Sequence, residues 1–99
     1  MSVSKSYDID GKEIDIKTFY MYCDDRFYGC VAKTTLRNNN VVSSYWTGKH
    51  RSTTPLKEGD LPLIFETRVY NGKELEIVFS PTLKDTFEDH AKMVIKWWN

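Results

Sequence analysis

Two short turn signals constrain the fold of this chain more than any other feature. Asp10-Gly11 and Asn71-Gly72 each stand between runs in which apolar and polar residues alternate. Asp-Gly and Asn-Gly adopt the left-handed backbone that tight β-turns require, so both pairs predict antiparallel hairpins. The chain has 99 residues, which is the usual size of one domain. We therefore expect a single domain over residues 1–99, built on antiparallel strands.

The first hairpin signal also predicts a register. A two-residue turn at Asp10-Gly11 places Tyr7 opposite Ile14, so that apolar residues share one face. The second strand is expected to continue through residues 18–23, where both of its faces are apolar. A strand that is apolar on both faces lies at the centre of a sheet or meets a partner.

Four more strands and one long loop follow from the same alternation and from turn residues. The last hairpin contains a conflict, because a two-residue turn pairs Arg68 with Leu75, whereas the apolar pattern pairs Val69 with Leu75 and Phe65 with Phe79. A slip of one residue turns every side chain to the other face, so we expect a longer loop or a bulge at Gly72. The strands are predicted at residues 27–37, 41–47, 61–70 and 74–79, with a polar loop at 48–59.

A helix is predicted at the C-terminal end of the sequence. Ser80 or Thr82 suits the cap, and Pro81 suits the first turn. Apolar residues recur at steps of three or four and form one stripe, which we expect to face the sheet. The stripe consists of Leu83, Phe87, Ala91, Val94 and Trp98.

These elements predict an α+β fold, in which a meander-like antiparallel six-stranded β-sheet carries one C-terminal α-helix packed on one face. The predicted core follows from the apolar faces of the strands and the helix. It consists of Ile14, Ile16, Phe65, Ile77, Phe79, Phe87 and Val94.

The charge distribution suggests one binding surface. Acidic and basic residues balance at 14 each. All the charged residues in the stretch from Arg26 to Lys57, however, are basic. Cations beside exposed aromatic rings are what phosphate contact and base stacking require, although a charged stretch is also typical of an ordinary solvated face. The candidate residues for binding an anion or a nucleic acid are Arg26, Lys33, Arg37, Trp46, Lys49, His50 and Arg51.

Catalytic and metal-binding patterns are weak. His50 and His90 are the only histidines, and with Glu66 they would suit a small metal-dependent hydrolase. No ligand spacing or nucleophile motif accompanies them, so we expect no catalytic residues, no metal and no cofactor. Cys23 and Cys30 are expected to be half-buried free thiols, as in a reducing compartment.

Part of the sequence resembles a group of small phage and prophage proteins of unassigned function. The resemblance rests on Trp46-Thr47-Gly48, on the string from Pro62 to Thr67 (Pro-Leu-Ile-Phe-Glu-Thr), and on a helix with His90 shortly before Met93. It covers roughly residues 41–94. The group places a histidine further into the loop after the glycine, whereas here Lys49 and His50 follow Gly48 directly, so the resemblance assigns His50 no role. It implies a viral origin and no activity.

Three functions are consistent with these observations. The first is a non-enzymatic phage accessory protein that binds a host protein, an antiviral-defence component being one class, in the cytoplasm of the host cell. The second is nucleotide or nucleic-acid binding through the basic stretch, and the third is the metal-dependent hydrolase. No apolar run is long enough to span a membrane. Surplus apolar surface also predicts a homodimer, with an interface at Phe19, Met21, Met93 and Trp97.

Overall fold

A computed structural model describes residues 5–25, 27–52 and 55–98. The elements in chain order are β1 (Ser6–Tyr7), β2 (Glu13–Ile14), α1 (Ile16–Asp24), β3 (Cys30–Thr35), β4 (Val41–Trp46), β5 (Phe65–Tyr70), β6 (Glu74–Ser80) and α2 (Leu83–Lys96).

The strands form two antiparallel sheets. β3, β4, β5 and β6 form a four-stranded meander in that order, and β1 pairs with β2. The predicted α+β class and the antiparallel pairing are confirmed. The prediction of one six-stranded sheet with one helix is wrong, because the first hairpin stands apart from the meander and a second helix follows it.

The segment predicted as the long second strand is the helix α1. Asp15 caps it, since the Asp15 side chain accepts a hydrogen bond from the Thr18 N–H at 2.7 Å. Phe19 and Tyr22 face the core at helical spacing, while Tyr20 and Met21 are exposed. Aromatic residues on both sides of this segment are compatible with the period of a strand and with that of a helix. The cap at Asp15 favours the helix.

The first hairpin has a different register from the predicted one. Ser6 pairs with Ile14 and Tyr7 pairs with Glu13. The Asp8 carboxylate accepts hydrogen bonds from the backbone N–H groups of Asp10 and Lys12, each at 2.9 Å. This side-chain contact holds a loop longer than two residues and shifts the pairing by one position.

The β5–β6 hairpin has the longer loop that its apolar pattern predicts, but not the predicted pairs. Tyr70 pairs with Glu74 across residues 71–73, and a register shift follows between Val69 and Tyr70. Beyond the shift, Arg68 lies opposite Ile77, and Glu66 lies opposite Phe79. Ile77 and Phe79 therefore share a face with charged residues.

The helix α2 packs on the sheet through a different line of residues from the predicted stripe. Thr82, one of the two predicted caps, caps it. Thr86, His90 and Met93 are its buried residues, and they lie about a quarter turn around the helix from Phe87. Phe87 is 51% exposed, so its assignment to the core is wrong.

The polar residues of α2 can be buried because hydroxyl groups on the sheet form hydrogen bonds with them. His90 Nε2 lies 2.8 Å from Thr34 Oγ1, and His90 Nδ1 lies 2.8 Å from Ser44 Oγ. Ser44 is also hydrogen-bonded to Thr67 Oγ1 at 2.7 Å. These bonds satisfy the ring on both sides, as burial of a polar group requires.

The core of the described residues has two clusters, one packed by α2 and the other by the first hairpin and α1. One cluster contains Leu36, Val42, Val69 and Met93, and the other contains Phe19, Trp46, Ile64 and Phe65. Among the predicted core residues, Phe65 is buried as expected. Ile14, Ile77, Phe79 and Val94 are only half-buried, and Ile16 is exposed.

Trp46 and Gly48 have a structural role in the second cluster. Trp46 is buried, and its indole Nε1 donates to the Tyr7 carbonyl at 3.0 Å. Gly48 has a φ of +74°, and a Cβ there would lie 2.5 Å from the Trp46 ring and 2.6 Å from the Phe19 ring. The Trp-Thr-Gly motif thus joins the first hairpin and α1 to the meander.

Candidate binding surfaces

The first candidate surface is an apolar flank on α2. Leu83, Phe87, Ala91 and Ile95 recur every fourth residue, and Trp98 follows beyond the helix end. All five side chains are exposed, Ile95 at 77%. We call these five residues the apolar flank. An exposed apolar patch on one element is typical of a protein interaction site.

The other side of α2 is charged and bonded to the sheet. Lys96 Nζ forms an ion pair with Glu76 Oε1 at 2.8 Å, and Trp97 Nε1 donates to the same oxygen at 2.9 Å. These hydrogen bonds hold the pKa of Glu76 below its usual value. Because this side of the helix meets β6, the apolar flank points away from β6.

The predicted dimer interface does not form a surface. Phe19 and Met93 are buried in the two core clusters, and Trp97 is half-buried against Glu76. Only Met21 is largely exposed. These positions differ from the expected ones because α1 is a helix rather than a strand and α2 does not face the sheet with Phe87.

The second candidate surface is the face of the meander opposite α2, which we call the open face. Glu66 lies on it and is only 1% exposed. Its carboxylate accepts hydrogen bonds from the Tyr45 hydroxyl and from Arg68 Nη2, and it pairs with Arg51 Nε at 2.8 Å. Tyr45 lies directly across from Glu66 in the β4–β5 pairing. The cluster is therefore built by two adjacent strands and one loop residue.

Arg51 reaches this cluster because its loop is attached to the segment before β5. The Arg51 N–H donates to the Leu63 carbonyl at 3.0 Å, and the Leu63 N–H donates to His50 Nδ1 at 3.0 Å. Thr47 is bonded to the Ile64 carbonyl in the same way. This ladder continues the β4–β5 pairing and carries Arg51 onto Glu66.

Tyr45 and Arg68 have contrasting environments in the cluster. Burial, the bond to Glu66 and the Glu66 charge together raise the pKa of Tyr45 to about 12, so the phenol remains a donor. The bond from Arg68 Nη2 to Glu66 is long, at 3.4 Å. Arg68 Nε is buried and lies 3.1 Å from Glu74 Oε1, yet it makes no hydrogen bond to any described residue. The guanidinium of Arg68 is therefore incompletely satisfied.

A groove of about 550 Å³ adjoins this cluster on the open face. That volume lies within the usual range of small-molecule sites. Aromatic rings, cations, a carboxylate and a hydroxyl all border the groove. Its lining residues are Ser43, Tyr45, Arg68, Tyr70, Gly72, Lys73 and Glu74.

The basic stretch that the sequence suggested as a nucleic-acid site is dispersed. Trp46 is buried and offers no ring for stacking. Lys49 Nζ lies 4.6 Å from the Phe19 ring and donates to Ser6 Oγ. Arg51 is paired with Glu66.

The remaining residues of that stretch lie elsewhere. Lys33 is exposed on β3, and Arg37 is exposed at the β3–β4 turn, at the other end of β4 from Arg51. His50 accepts a hydrogen bond from Leu63. Arg26 lies outside the described residues. Continuity in sequence did not produce a continuous surface because the stretch runs up one strand and down the next.

The three residues considered for a hydrolase do not meet. His90 lies under α2, whereas Glu66 lies on the open face, so the sheet separates them. Burial lowers the pKa of His90, and both ring nitrogens are bonded to hydroxyls. In the part of the chain that the structure describes, no three His, Cys, Asp or Glu side chains are grouped to hold a metal ion.

Cys23 and Cys30 are free thiols, as expected, but both are exposed rather than half-buried. Cys23 lies at the end of α1 and Cys30 begins β3, so they do not face each other across a hairpin. Burial is the main cause that raises the pKa of the Cys23 thiol, and the Asp24 charge adds to it.

Sequence reasoning missed both surfaces. The apolar flank was visible as a stripe but was assigned to the core. Tyr45 and Arg68 carried no local signal, because only the strand register brings them to Glu66. Thr86 and His90, four residues apart, were the available sign that another line of α2 faces the hydroxyl-rich strands.

Comparison of the chain with protein-family models, with curated proteins and with solved structures gives no match. Neither described helix is long and apolar enough to cross a membrane.

Proposed function

We propose that this protein acts without catalysis, by binding another protein through the apolar flank of α2. The partner proposed is a host protein in the cytoplasm of a bacterial cell, since the sequence resembles small phage proteins. An antiviral-defence component is one class of such a partner. The single observation that supports this function is the exposure of five apolar residues on one side of α2.

The magnitude of the possible burial supports a protein partner. Covering the exposed parts of Leu83, Phe87, Ile95 and Trp98 would contribute on the order of 4–8 kcal/mol. Association itself costs roughly 4–15 kcal/mol. The flank can therefore anchor a complex, but a stable one also needs polar contacts at its border.

Charged residues at the border of the flank can make those contacts. Lys84, Glu88 and Lys92 are exposed along α2 next to the apolar residues. Apolar anchors at steps of four with a charged border are the pattern by which a helix binds an apolar groove. The proposed partner surface is accordingly an apolar groove with charged groups at its rim.

The metal-dependent hydrolase has no support from this geometry, because the sheet separates His90 from Glu66. Nucleic-acid binding by the basic stretch loses its stacking residue, since Trp46 is buried.

Affinity capture from a bacterial lysate tests the proposal when three baits are compared. The baits are the native protein, the double variant Phe87→Asp with Trp98→Asp, and the control Met21→Asp. Met21 is a matched control because it is an exposed apolar residue on the other helix. Circular dichroism establishes that each bait is folded.

The proposal predicts that one defined protein is retained by the native bait and by Met21→Asp, and is lost from the double variant. Retention by all three baits, or by none of them, contradicts a role for the flank. Loss with Met21→Asp alone would place the binding surface on α1 instead.

A further inference from the structure

The open face of the meander has a site that the proposed function does not use. Arg68 belongs to this site, and among the described residues its buried Nε–H makes no hydrogen bond and its Nη2 reaches Glu66 only at 3.4 Å. The ion pair of Arg68 Nε with Glu74 Oε1 at 3.1 Å does not make a hydrogen bond, so the two glutamates beside Arg68 do not satisfy all of its donors. Arg68 lines the groove of about 550 Å³.

The cations at this site suit an oxyanion. Arg68 and Lys73 both line the groove. Arg51 lies beside the groove and pairs with Glu66, as Arg68 does. The side chains of Arg51 and Arg68 remain 48% and 37% exposed, so each guanidinium keeps donors that face solvent. Glu66 cannot occupy all the N–H groups of two arginines, and guanidinium forks match phosphate oxygens closely.

The other lining residues suit a flat ring and its polar edge. Tyr45 is on β4 and Tyr70 is on the adjacent strand β5. Arg68 lies between them on the open face. Aromatic side chains on a sheet surface are a recurrent platform for stacked bases. Ser43 and Glu74 add a hydroxyl and a carboxylate, which can bond to a sugar hydroxyl or to a base amine.

We propose that this groove binds a nucleotide, with the phosphate on Arg68 and Lys73 and the base against Tyr70 or Tyr45. The juxtaposition that carries the proposal is an incompletely bonded arginine between two tyrosines in a groove of nucleotide size. A free nucleotide and the terminal nucleotide of a single strand share this chemistry. The site lies on the opposite face of the sheet from α2, so it is independent of the apolar flank.

Isothermal titration calorimetry tests the proposal with four probes. They are a set of nucleoside 5′-monophosphates, the matching nucleosides, inorganic phosphate and a short single-stranded oligonucleotide. At least one monophosphate is expected to bind saturably, and roughly tenfold or more tightly than inorganic phosphate, because the ring adds stacking. Binding should weaken as salt increases, since the phosphate contact is electrostatic.

Variants assign that binding to the groove. Arg68→Gln and Tyr70→Ser are expected to weaken it by roughly tenfold each, the usual size of a lost charged bond or stack. Lys73→Gln, at an exposed turn position, keeps the test valid if Arg68→Gln fails to fold. Arg37→Gln is the control, because Arg37 is also an exposed arginine and lies outside the groove.

Each outcome decides the proposal. Saturable binding that is weakened by Arg68→Gln or Lys73→Gln and unchanged by Arg37→Gln supports it. A tighter oligonucleotide would identify the end of a strand as the ligand, and a tighter monophosphate would identify the free nucleotide. Absence of saturable binding to every probe overturns the proposal, as do equal affinities for nucleotide and inorganic phosphate, or equal affinities of Arg68→Gln and the native protein.

Discussion

His90 shows how a single polar residue orients an element of this protein. The residue is 7% exposed, and its ring is held by Thr34 on β3 and Ser44 on β4. An unbonded imidazole at this depth would be costly, but two hydroxyls satisfy it without any charge. Neither hydroxyl is near His90 in sequence, so its burial could not be predicted from the helix pattern alone.

This environment predicts a pH dependence of stability. Burial lowers the pKa of His90 from 6.5 in the folded state. The neutral ring is therefore favoured by folding, and its contribution is complete above the unfolded pKa. Below pH 6.5 the unfolded state takes up the proton first, so the free energy of unfolding decreases as the pH falls through the folded pKa.

Urea unfolding between pH 7.5 and pH 5 measures this effect. The slope due to His90 is at most about 1.4 kcal/mol per pH unit. His90→Gln should lose that slope while His50→Gln retains it. A His90→Gln profile that parallels the native one would contradict the assignment of His90 as a buried neutral residue.

At the scale of elements, α2 shows what the apolar period can and cannot establish. The period correctly predicted a helix, and Thr82 is one of the two residues that were predicted as its cap. It did not establish which side faces the sheet, because α2 has two possible packing sides. One is the apolar stripe, and the other is the line of polar and apolar residues Thr86, His90 and Met93. The hydroxyls of Thr34 and Ser44 bond to His90, so the side of α2 that contains His90 faces the sheet. This leaves Phe87 exposed.

Two substitutions measure this orientation. Met93 is 4% exposed, so Met93→Ala should reduce the free energy of unfolding by about 2–5 kcal/mol. Phe87→Ala removes a larger side chain from an exposed position and should cost less than about 0.5 kcal/mol. Urea denaturation compares the two variants under the same conditions. The reverse ranking would mean that α2 packs through the apolar stripe.

The strands also show that the local sequence pattern predicts where an element lies, whereas contacts between distant residues decide how it pairs. The alternation located the four strands of the meander, although β3 and β5 are shorter than predicted. The α1 segment was misassigned because aromatic residues suit both periods, and because the Asp15 cap is a single residue. The β5–β6 register depended on a three-residue loop and a shift near Tyr70, which the Asn-Gly pair alone does not specify.

At the scale of the whole molecule, the meander separates two surfaces of different chemistry. One is the apolar flank of α2, and the other is the charged and aromatic groove on the open face. The first was visible in the sequence as a stripe and was assigned to the interior. The second could not be predicted, because Tyr45, Glu66 and Arg68 meet only through strand pairing.

Photo-cross-linking in living bacterial cells tests the central claim, that the apolar flank is a protein-binding surface, most directly. The photoreactive residue p-benzoylphenylalanine replaces Phe87 in one version of the protein and Met21 in the control. We predict a light-dependent adduct of one defined host protein from position 87, and none from position 21. Equal adducts from both positions, or none from position 87, would contradict the claim. An adduct at twice the 11.6 kDa mass of the chain would show that a second copy of this protein, rather than a host protein, occupies the flank.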